Sequence, residues 1–131
     1  ARELNVESRI HFIGEKSHVE LARYYAAAHV FVRPSRSEGL GSAFLEAMAS
    51  GLAVIGTDIG GIPDFLRHND TGVVVRIDDA SDLAYQIKHV FYDQGFREKI
   101  SSAGRQLVYD KYSWDGIARS IGGILYRLIY P

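Results

Sequence analysis

No cysteine occurs among the 131 residues of the sequence, so disulfide bonds and thiolate metal sites are excluded. The apolar runs fall well short of the roughly 20 residues that a membrane-spanning helix needs. The first ten residues, ARELNVESRI, lack the basic-then-apolar plan of a signal peptide. From these absences we expect a cytoplasmic location.

An excess of charge is also missing, because 15 basic residues stand against 16 acidic ones, for a formal charge of −1. Nothing in this balance favours nucleic acid as a partner, so any anion site must be local. The length fits one domain, residues 1–131. Because the sequence starts at Ala1 without a methionine and enters directly into a helix-like segment, we expect it to be a fragment.

Strand-like and helix-like segments alternate along the first part of the sequence. Four short β-rich runs predict strands at 9–14, 29–35, 53–58 and 72–77. Ser17 is expected to cap a helix after the first run, and Ser42 to cap one after the second that stops at Gly51. A short helix follows Pro63. Three successive helices are predicted at the end, over 81–93, 94–112 and 113–130.

This order of elements predicts the α/β class. Strands separated by helices of about ten residues form a parallel sheet with crossover helices. We expect a Rossmann-like parallel sheet of about four strands, with helices on both faces and the three C-terminal helices after it.

The stretch SEGLGSAFLEAMASG, residues 37–51, has the features of a phosphate site. Ligands of open α/β sheets bind at the carboxyl ends of the strands, where this stretch is predicted to lie. Gly39 and Gly41 allow close approach of the backbone, and the free amides and dipole of the following helix suit a phosphate. Glu46 would lie beside the phosphate and accept hydrogen bonds from ribose hydroxyls, and Glu38 would hold hydroxyls on its other side.

An ordinary helix start explains the same residues. Glycines are common before helices, Glu46 is a good helix former, and an acid such as Glu38 is favourable near a helix N-terminus. A single Gly-x-Gly is weak evidence for a site, so local physics leaves both interpretations open.

Several ordered motifs go beyond this local pattern. They are FIG, VFVRPSRSEGLGSAFLEAMASGLAVIGTDIGGIPDFL, TGVVV and YSWDGIA, with a Glu-x7-Glu signature from Glu38 to Glu46 and the Gly60-Gly61 pair after it. In these motifs the chain resembles, over nearly its whole length, the C-terminal donor-binding domain of retaining GT-B glycosyltransferases of family four, the glycosyl transferases group 1. Leu40 in place of the usual phenylalanine and Asp64 in place of a common glutamate are mild departures.

The resemblance implies a role for each site residue. Glu38 is the expected catalytic-site residue and contacts hydroxyls of the donor sugar, while Glu46 holds the ribose. The loop after the FIG run lies near the nucleobase, and the Gly-rich loop meets the diphosphate. The donor-binding residues implied in these two loops are Gly14, Glu15, Lys16, Gly39, Leu40, Gly41, Ser42 and Ala43. No cofactor or metal is expected, because the Asp-x-Asp that would hold a divalent ion is missing.

The resemblance also implies parts that this sequence lacks. They are an N-terminal acceptor domain, through which the whole enzyme would contact a membrane, and two strands carrying an Arg and a Lys for the phosphates. Those strands would lie between 9–14 and 29–35 in the sheet. We therefore expect a domain swap, a homodimer, or direct pairing of 9–13 with 29–33.

The implied reaction moves a sugar from a nucleoside diphosphate sugar to an acceptor with retention of configuration, as in polysaccharide or glycoconjugate biosynthesis. The fragment alone is expected to be inactive. A nucleotide-sugar 2-epimerase of the same fold and a non-catalytic sugar-nucleotide binding module are the alternatives. A glycosidase is disfavoured, because a Gly-rich helix start suits phosphate better than a pair of catalytic carboxylates.

Other polar and aromatic residues have simpler explanations. Arg33 and Arg36 flank the predicted phosphate site and either add charge there or are ordinary solvated arginines. Most histidines are expected to be structural or solvent-facing. The remaining expectations are helix capping by Asp78, Asp79 and Ser81, and packing in the closing helices by Tyr109, Tyr112 and Trp114.

Overall fold

The computed structural model describes residues 5–130 and has a parallel sheet of three strands with five α-helices. The strands are β1 (Val30–Arg33), β2 (Ala53–Thr57) and β3 (Val73–Val75), in the spatial order β1-β2-β3. The helices are α1 (His18–Ala27), α2 (Ser42–Ala49), α3 (Ala80–Tyr92), α4 (Gln94–Lys111) and α5 (Trp114–Ile129). Single 3-10 turns occupy Glu7–Arg9 and Ile62–Asp64. The predicted α/β class with a Rossmann-like parallel sheet is confirmed.

The central strand β2 is buried along its whole length, and a hydrophobic core lies on each face of the sheet. One core contains Phe44 and Met48 of α2, and the other contains Val90 of α3 and Ile100 of α4. Because successive side chains of a strand point to opposite faces, helices must cover both faces to bury β2. Helices therefore lie on both faces, as predicted.

Helix α4 reaches both cores, since Val108 joins the core of α2 while Ile100 joins that of α3. It approaches α2 closely at Gly104, where a Cβ atom would lie 2.7 Å from the Thr71 carbonyl oxygen and 3.0 Å from Met48 Cε. The absence of a side chain at this position therefore sets the distance between α4 and α2.

The predicted strand over 9–14 is not formed. Residues 10–13 are irregular, Phe12 is 89% exposed, and β2 is the only strand paired with β1 among the described residues. Direct pairing of 9–13 with 29–33 is therefore wrong for this structure. The physical reason is that an alternating apolar run becomes a strand only where a partner strand and a buried face are available. A domain swap and a homodimer remain predictions.

The three C-terminal helices begin and end within one residue of the predicted bounds. The expectation that Trp114 packs in these helices is wrong, because its side chain is 84% exposed at the start of α5. Every residue from 118 to 130 is exposed as well. Helix α5 is amphipathic, but within the described residues its apolar face meets little of the protein.

None of the described helices is both long and apolar enough to span a membrane.

Candidate functional site

The loop between β1 and α2 lies at the carboxyl ends of the strands and is tied to its neighbours by hydrogen bonds. Thr57, the buried last residue of β2, donates from Oγ1 to the Ser35 carbonyl oxygen at 2.6 Å. The Gly61 amide donates to the Gly39 carbonyl oxygen at 2.9 Å. The last residue of β2 and the chain that follows it therefore fix the loop at two points.

Helix α2 begins differently from the sequence prediction. Gly41, not Ser42, is the N-cap residue, with φ 76° and ψ 46°, and no side chain caps the helix. A Cβ atom at Gly41 would lie 2.5 Å from Ile62 Cδ1, and the left-handed backbone itself favours glycine. Ser42 is therefore the first helical residue, and the predicted cap is wrong because the left-handed turn at Gly41 begins the helix one residue earlier than predicted.

The glycine cap leaves a run of backbone donors unused. Phe44 N donates to the Gly41 carbonyl oxygen at 2.9 Å, but the amides of residues 39–43 donate to no acceptor within residues 5–130. A side-chain cap would have satisfied one of them. The unused amides and the positive end of the α2 dipole lie on the same short segment, which is the arrangement that binds phosphate groups.

Glu38 is the most buried charged side chain of the loop, with 8% of it exposed. Ser35 Oγ donates to its Oε1 at 2.6 Å, and Arg33 Nε lies 2.6 Å from the same oxygen. Arg33 is half exposed, so its guanidinium also reaches solvent. The Arg33 charge thus offsets that of a carboxylate that stands directly before the unused amides, and the pairing shows that Arg33 is not a freely solvated arginine.

Glu46 lies within α2 and faces the start of α1. Its side chain is 38% exposed, and Oε1 lies 3.7 Å from His18 Nδ1. An open cleft of about 310 Å³ runs between the two helices and is lined by His18, Ala22, Tyr25, Glu46, Ala49 and Ser50. Tyr25 and Glu46 both line this cleft. Burial raises the pKa of the Tyr25 phenol, and the negative charge of Glu46 raises it further.

A second opening lies on the other side of Glu46. It has a volume of about 330 Å³, and its walls come from the start of α2 and from α4 and α5, including Leu40, Leu45, Val108 and Trp114. This opening is more apolar than the cleft beside α1. Glu46 therefore lines both openings, one on each side of it.

Gly14, Glu15 and Lys16 lie two to four residues before His18, on the segment that leads into α1. Gly14 has φ 65°, a conformation that glycine adopts without strain. No hydrogen bond or ion pair joins the three to residues 38–46 in the described part of the chain. The predicted site residues of the loop and of α2 thus lie along one segment, namely Glu38, Gly39, Leu40, Gly41, Ser42, Ala43 and Glu46. Residues 14–16 are linked to this segment only through the nearby contact of His18 with Glu46. Their roles in binding remain predictions.

Three contributors to the site are not predicted from the sequence, namely His18, Tyr25 and Ser35. His18 and Glu46 are 28 positions apart, so no local spacing signals their contact. Ser35 lies three residues before Glu38, which is a common spacing for a side-chain hydrogen bond in a turn. That spacing is the one signal that sequence inspection had available.

Two further pairings refine the predictions for charged residues. Arg36 Nε donates to Asp78 Oδ1 at 2.7 Å, so these two exposed side chains pair across the carboxyl ends of β1 and β3. Asp79 alone caps α3, by accepting from the Asp82 amide at 2.8 Å, while Ser81 lies inside the helix. No cluster of three metal-ligating side chains is found among the residues that the structure describes.

Comparison with known proteins gives a consistent result. The family model described as "Glycosyl transferases group 1" matches residues 1–107. An uncharacterised glycosyltransferase of Methanocaldococcus jannaschii is 36% identical over 117 residues, which cover 89% of this chain and 30% of that protein. The GDP-mannose-dependent alpha-(1-6)-phosphatidylinositol monomannoside mannosyltransferase of Mycobacterium tuberculosis is 33% identical over 132 residues, which cover 95% of this chain and 34% of that protein.

Among solved structures, sucrose-phosphate synthase from Thermosynechococcus elongatus superposes with a TM-score of 0.89 and 34% sequence identity, covering 98% of this chain and 32% of that one. The chain therefore spans about a third of the length of these relatives.

Proposed function

Because this chain belongs to the glycosyl transferases group 1 family, we propose that its 131 residues form the donor-binding domain of a GT-B glycosyltransferase. Its substrate in this role is a nucleoside diphosphate sugar. The observation that carries the proposal is the run of acceptor-free amides from Gly39 to Ala43 at the glycine-capped start of α2. The name of the mycobacterial relative, 33% identical to this chain, includes dependence on GDP-mannose, which supports an activated sugar as donor.

The diphosphate of the donor binds, in this proposal, against the amides of residues 39–43. Each N–H directs a partial positive charge at the ligand, and the α2 dipole adds to it. These groups are already oriented before binding, so they stabilise the charge that develops on the leaving diphosphate without reorganisation. Such a site does not require a divalent ion, and we propose that the donor binds without one.

Glu38 then serves as a hydrogen-bond acceptor for hydroxyls of the donor sugar. Its fixed contacts with Arg33 and Ser35 suit a positioning role better than nucleophilic attack, because they hold Oε1 in one place. A bare carboxylate next to a diphosphate would also repel it, and the Arg33 guanidinium at 2.6 Å reduces that repulsion. The first glutamate of the signature thus orients the sugar, while its neighbours keep the site acceptable to an anion.

Glu46 accepts hydrogen bonds from the ribose in the cleft between α1 and α2, beside Tyr25 and His18. The segment Gly14, Glu15 and Lys16 leads into this cleft and contributes the contacts to the nucleobase. The order along the ligand is therefore base, ribose, diphosphate and sugar, from the start of α1 towards Glu38.

The reaction that we propose is transfer of the sugar with retention of configuration. The bond between the anomeric carbon and the diphosphate oxygen breaks, an acceptor hydroxyl forms the new bond on the same face, and its proton leaves with the diphosphate. The acceptor is held by a further domain, so we expect the 131 residues to bind donor but not to turn it over. The complete enzyme would act in the cytoplasm or at a membrane surface.

The test is a calorimetric titration of the chain with UDP-, GDP- and ADP-sugars. We expect saturable binding of one nucleotide class, and a loss of at least about tenfold in affinity in Glu46→Ala because the ribose acceptor is removed. Glu98→Ala, an exposed glutamate of α4, is the matched control and should bind like the unmodified chain. Failure of a folded sample to bind any of the three, or equal losses in both variants, would contradict the proposal.

A further inference from the structure

The glycine pair after β2, Gly60 and Gly61, contacts the backbone of residues 38–40 in the loop before α2 through its own backbone. Gly60 has φ 55°, and a Cβ atom built there would overlap the Glu38 carbonyl oxygen and lie 2.9 Å from the Glu38 carbonyl carbon. These neighbours are main-chain atoms, which cannot rotate away as a flexible side chain does. Glu38 and Gly60 therefore approach each other only because residue 60 has no side chain.

Gly61 makes the same kind of approach to the next peptide. Its amide donates to the Gly39 carbonyl oxygen at 2.9 Å, and a Cβ atom at Gly61 would lie 2.9 Å from that oxygen and 3.3 Å from Leu40 Cα. The backbone of Gly61, with φ −86° and ψ 0°, is open to any residue. Close contact with the loop, and not backbone conformation, thus accounts for glycine at position 61.

These contacts fix the direction of two of the unused amides. In a trans planar peptide the C=O and the following N–H point in opposite directions. Because the carbonyls of Glu38 and Gly39 point towards the glycine pair, the amides of Gly39 and Leu40 point away from it, and neither has an acceptor in the chain from 5 to 130. Gly39 and Leu40 are exposed, so these donors reach the open side of the loop.

We propose that Gly60 and Gly61 form a positioning element of the donor site. By contacting the carbonyl groups of residues 38 and 39, the pair directs the amides of residues 39 and 40 away from itself, towards the open side of the loop. The pair touches no ligand itself. This inference rests on the proposed function, since the amides that it orients are those assigned to the diphosphate.

The test compares Gly61→Ala and Gly60→Ala with Gly123→Ala, a glycine of α5 with nothing within 4 Å of a Cβ atom. In the absence of ligand, we expect the amide resonances of Gly39 and Leu40 in a ¹⁵N–¹H spectrum to shift in the first two variants and to stay unchanged in the third. In titrations with UDP, GDP and ADP, Gly60→Ala and Gly61→Ala should bind the nucleotide that the unmodified chain binds with an affinity lower by about tenfold or more. We expect Gly61→Ala to remain folded at the temperature of the titration.

The outcomes separate this inference from the proposed function. If the unmodified chain binds none of the three nucleotides, the proposed function fails. The amide resonances of Gly39 and Leu40 without ligand still test the positioning role in that case. Unchanged Gly39 and Leu40 resonances in both variants would overturn it. Undiminished nucleotide affinity in a folded Gly61→Ala would also overturn it. If Gly60→Ala fails to fold because of its left-handed backbone, Gly61→Ala decides the matter, since alanine adopts the backbone at position 61 without strain.

Discussion

Glu38 and Arg33 show how a single ion pair conditions the whole site. The carboxylate is almost buried and precedes the acceptor-free amides, so without a cation it would oppose an anionic ligand. Sequence inspection assigns Glu38 to the site and places Arg33 beside it, but it leaves open whether Arg33 adds charge there or is simply solvated. It does not reveal that they pair, since a motif fixes spacing along the chain and not the direction of side chains.

We predict that Arg33→Gln weakens the binding of plain nucleoside diphosphate by about tenfold, because it leaves the Glu38 charge uncompensated. The double variant Arg33→Gln/Glu38→Gln should recover most of that loss, since it removes the repelling charge as well. A double-mutant cycle measured by calorimetry checks this coupling. Strictly additive effects of the two substitutions would show that the pair does not act as a unit.

Tyr25 gives a pH-dependent prediction at the same scale. Burial first, and the charge of Glu46 second, raise the pKa of this phenol in the folded protein above its ordinary value of 10.0. The neutral phenol is therefore favoured by folding, so the contribution is complete below pH 10 and declines as the pH rises above that value. We expect the urea midpoint of the unmodified chain to fall above about pH 10, and to fall less in Tyr25→Phe.

Tyr109→Phe, at an exposed position of α4, is the control for that comparison. If it changes the alkaline decline as much as Tyr25→Phe does, the burial of Tyr25 beside Glu46 is not the cause.

At the scale of elements, local sequence signals predicted some helix starts and strands correctly and failed for others. Ser17, predicted as the N-cap of α1, is confirmed, and the structure adds a capping box in which the Glu20 side chain accepts from the Ser17 backbone. The cap residue of α2, Gly41, packs instead on Ile62, twenty-one positions away, which no local pattern can show. The run at 9–14 has strand composition but no partner strand in the described chain. Periodicity predicted the helices correctly, whereas helix caps and the formation of a strand depend on distant neighbours.

The approach of α4 to α2 gives a prediction for stability. In Gly104→Ala the new Cβ atom would lie 2.7 Å from the Thr71 carbonyl oxygen, a backbone atom of the turn before β3, so α4 must move away from that turn. We expect a loss of about 1–3 kcal/mol in the free energy of unfolding, despite the better helix propensity of alanine. Urea unfolding followed by circular dichroism measures it.

Gly123→Ala in α5 is the matched control, because it adds the same methyl group with nothing within 4 Å. It should be neutral or stabilising by up to about 1 kcal/mol. Equal stabilisation of both variants would mean that the close packing at Gly104 has no energetic consequence.

At the scale of the whole molecule, the apolar face of helix α5 is left largely uncovered by the described residues. Ile121, Ile124, Leu125 and Leu128 all remain more than half exposed on it. Contiguous apolar surface of this kind promotes association in water. The sequence predicts the helix correctly from its period, but it cannot predict the exposure, because the pattern of an amphipathic helix is the same whether its apolar face is covered or open.

We therefore predict that the 131-residue chain self-associates as its concentration rises, and that Leu125→Glu shifts it towards monomer because a charge then lies in the apolar face. Sedimentation velocity over a concentration series measures this. Ser120→Glu adds the same charge at a polar position of α5 and should leave the association unchanged. A monomeric unmodified chain throughout the series would contradict the prediction.

The amides of residues 39–43, which have no acceptor within residues 5–130, are proposed to hold the diphosphate of a nucleotide sugar. The most direct measurement is a ¹⁵N–¹H titration of the chain with UDP, GDP and ADP, followed residue by residue. We predict that one of the three nucleotides shifts the amide resonances of residues 39–43 most strongly and causes smaller shifts around Glu46 and residues 14–16. Largest shifts in the apolar opening beside Trp114, or no saturable shift in a folded sample, would contradict it.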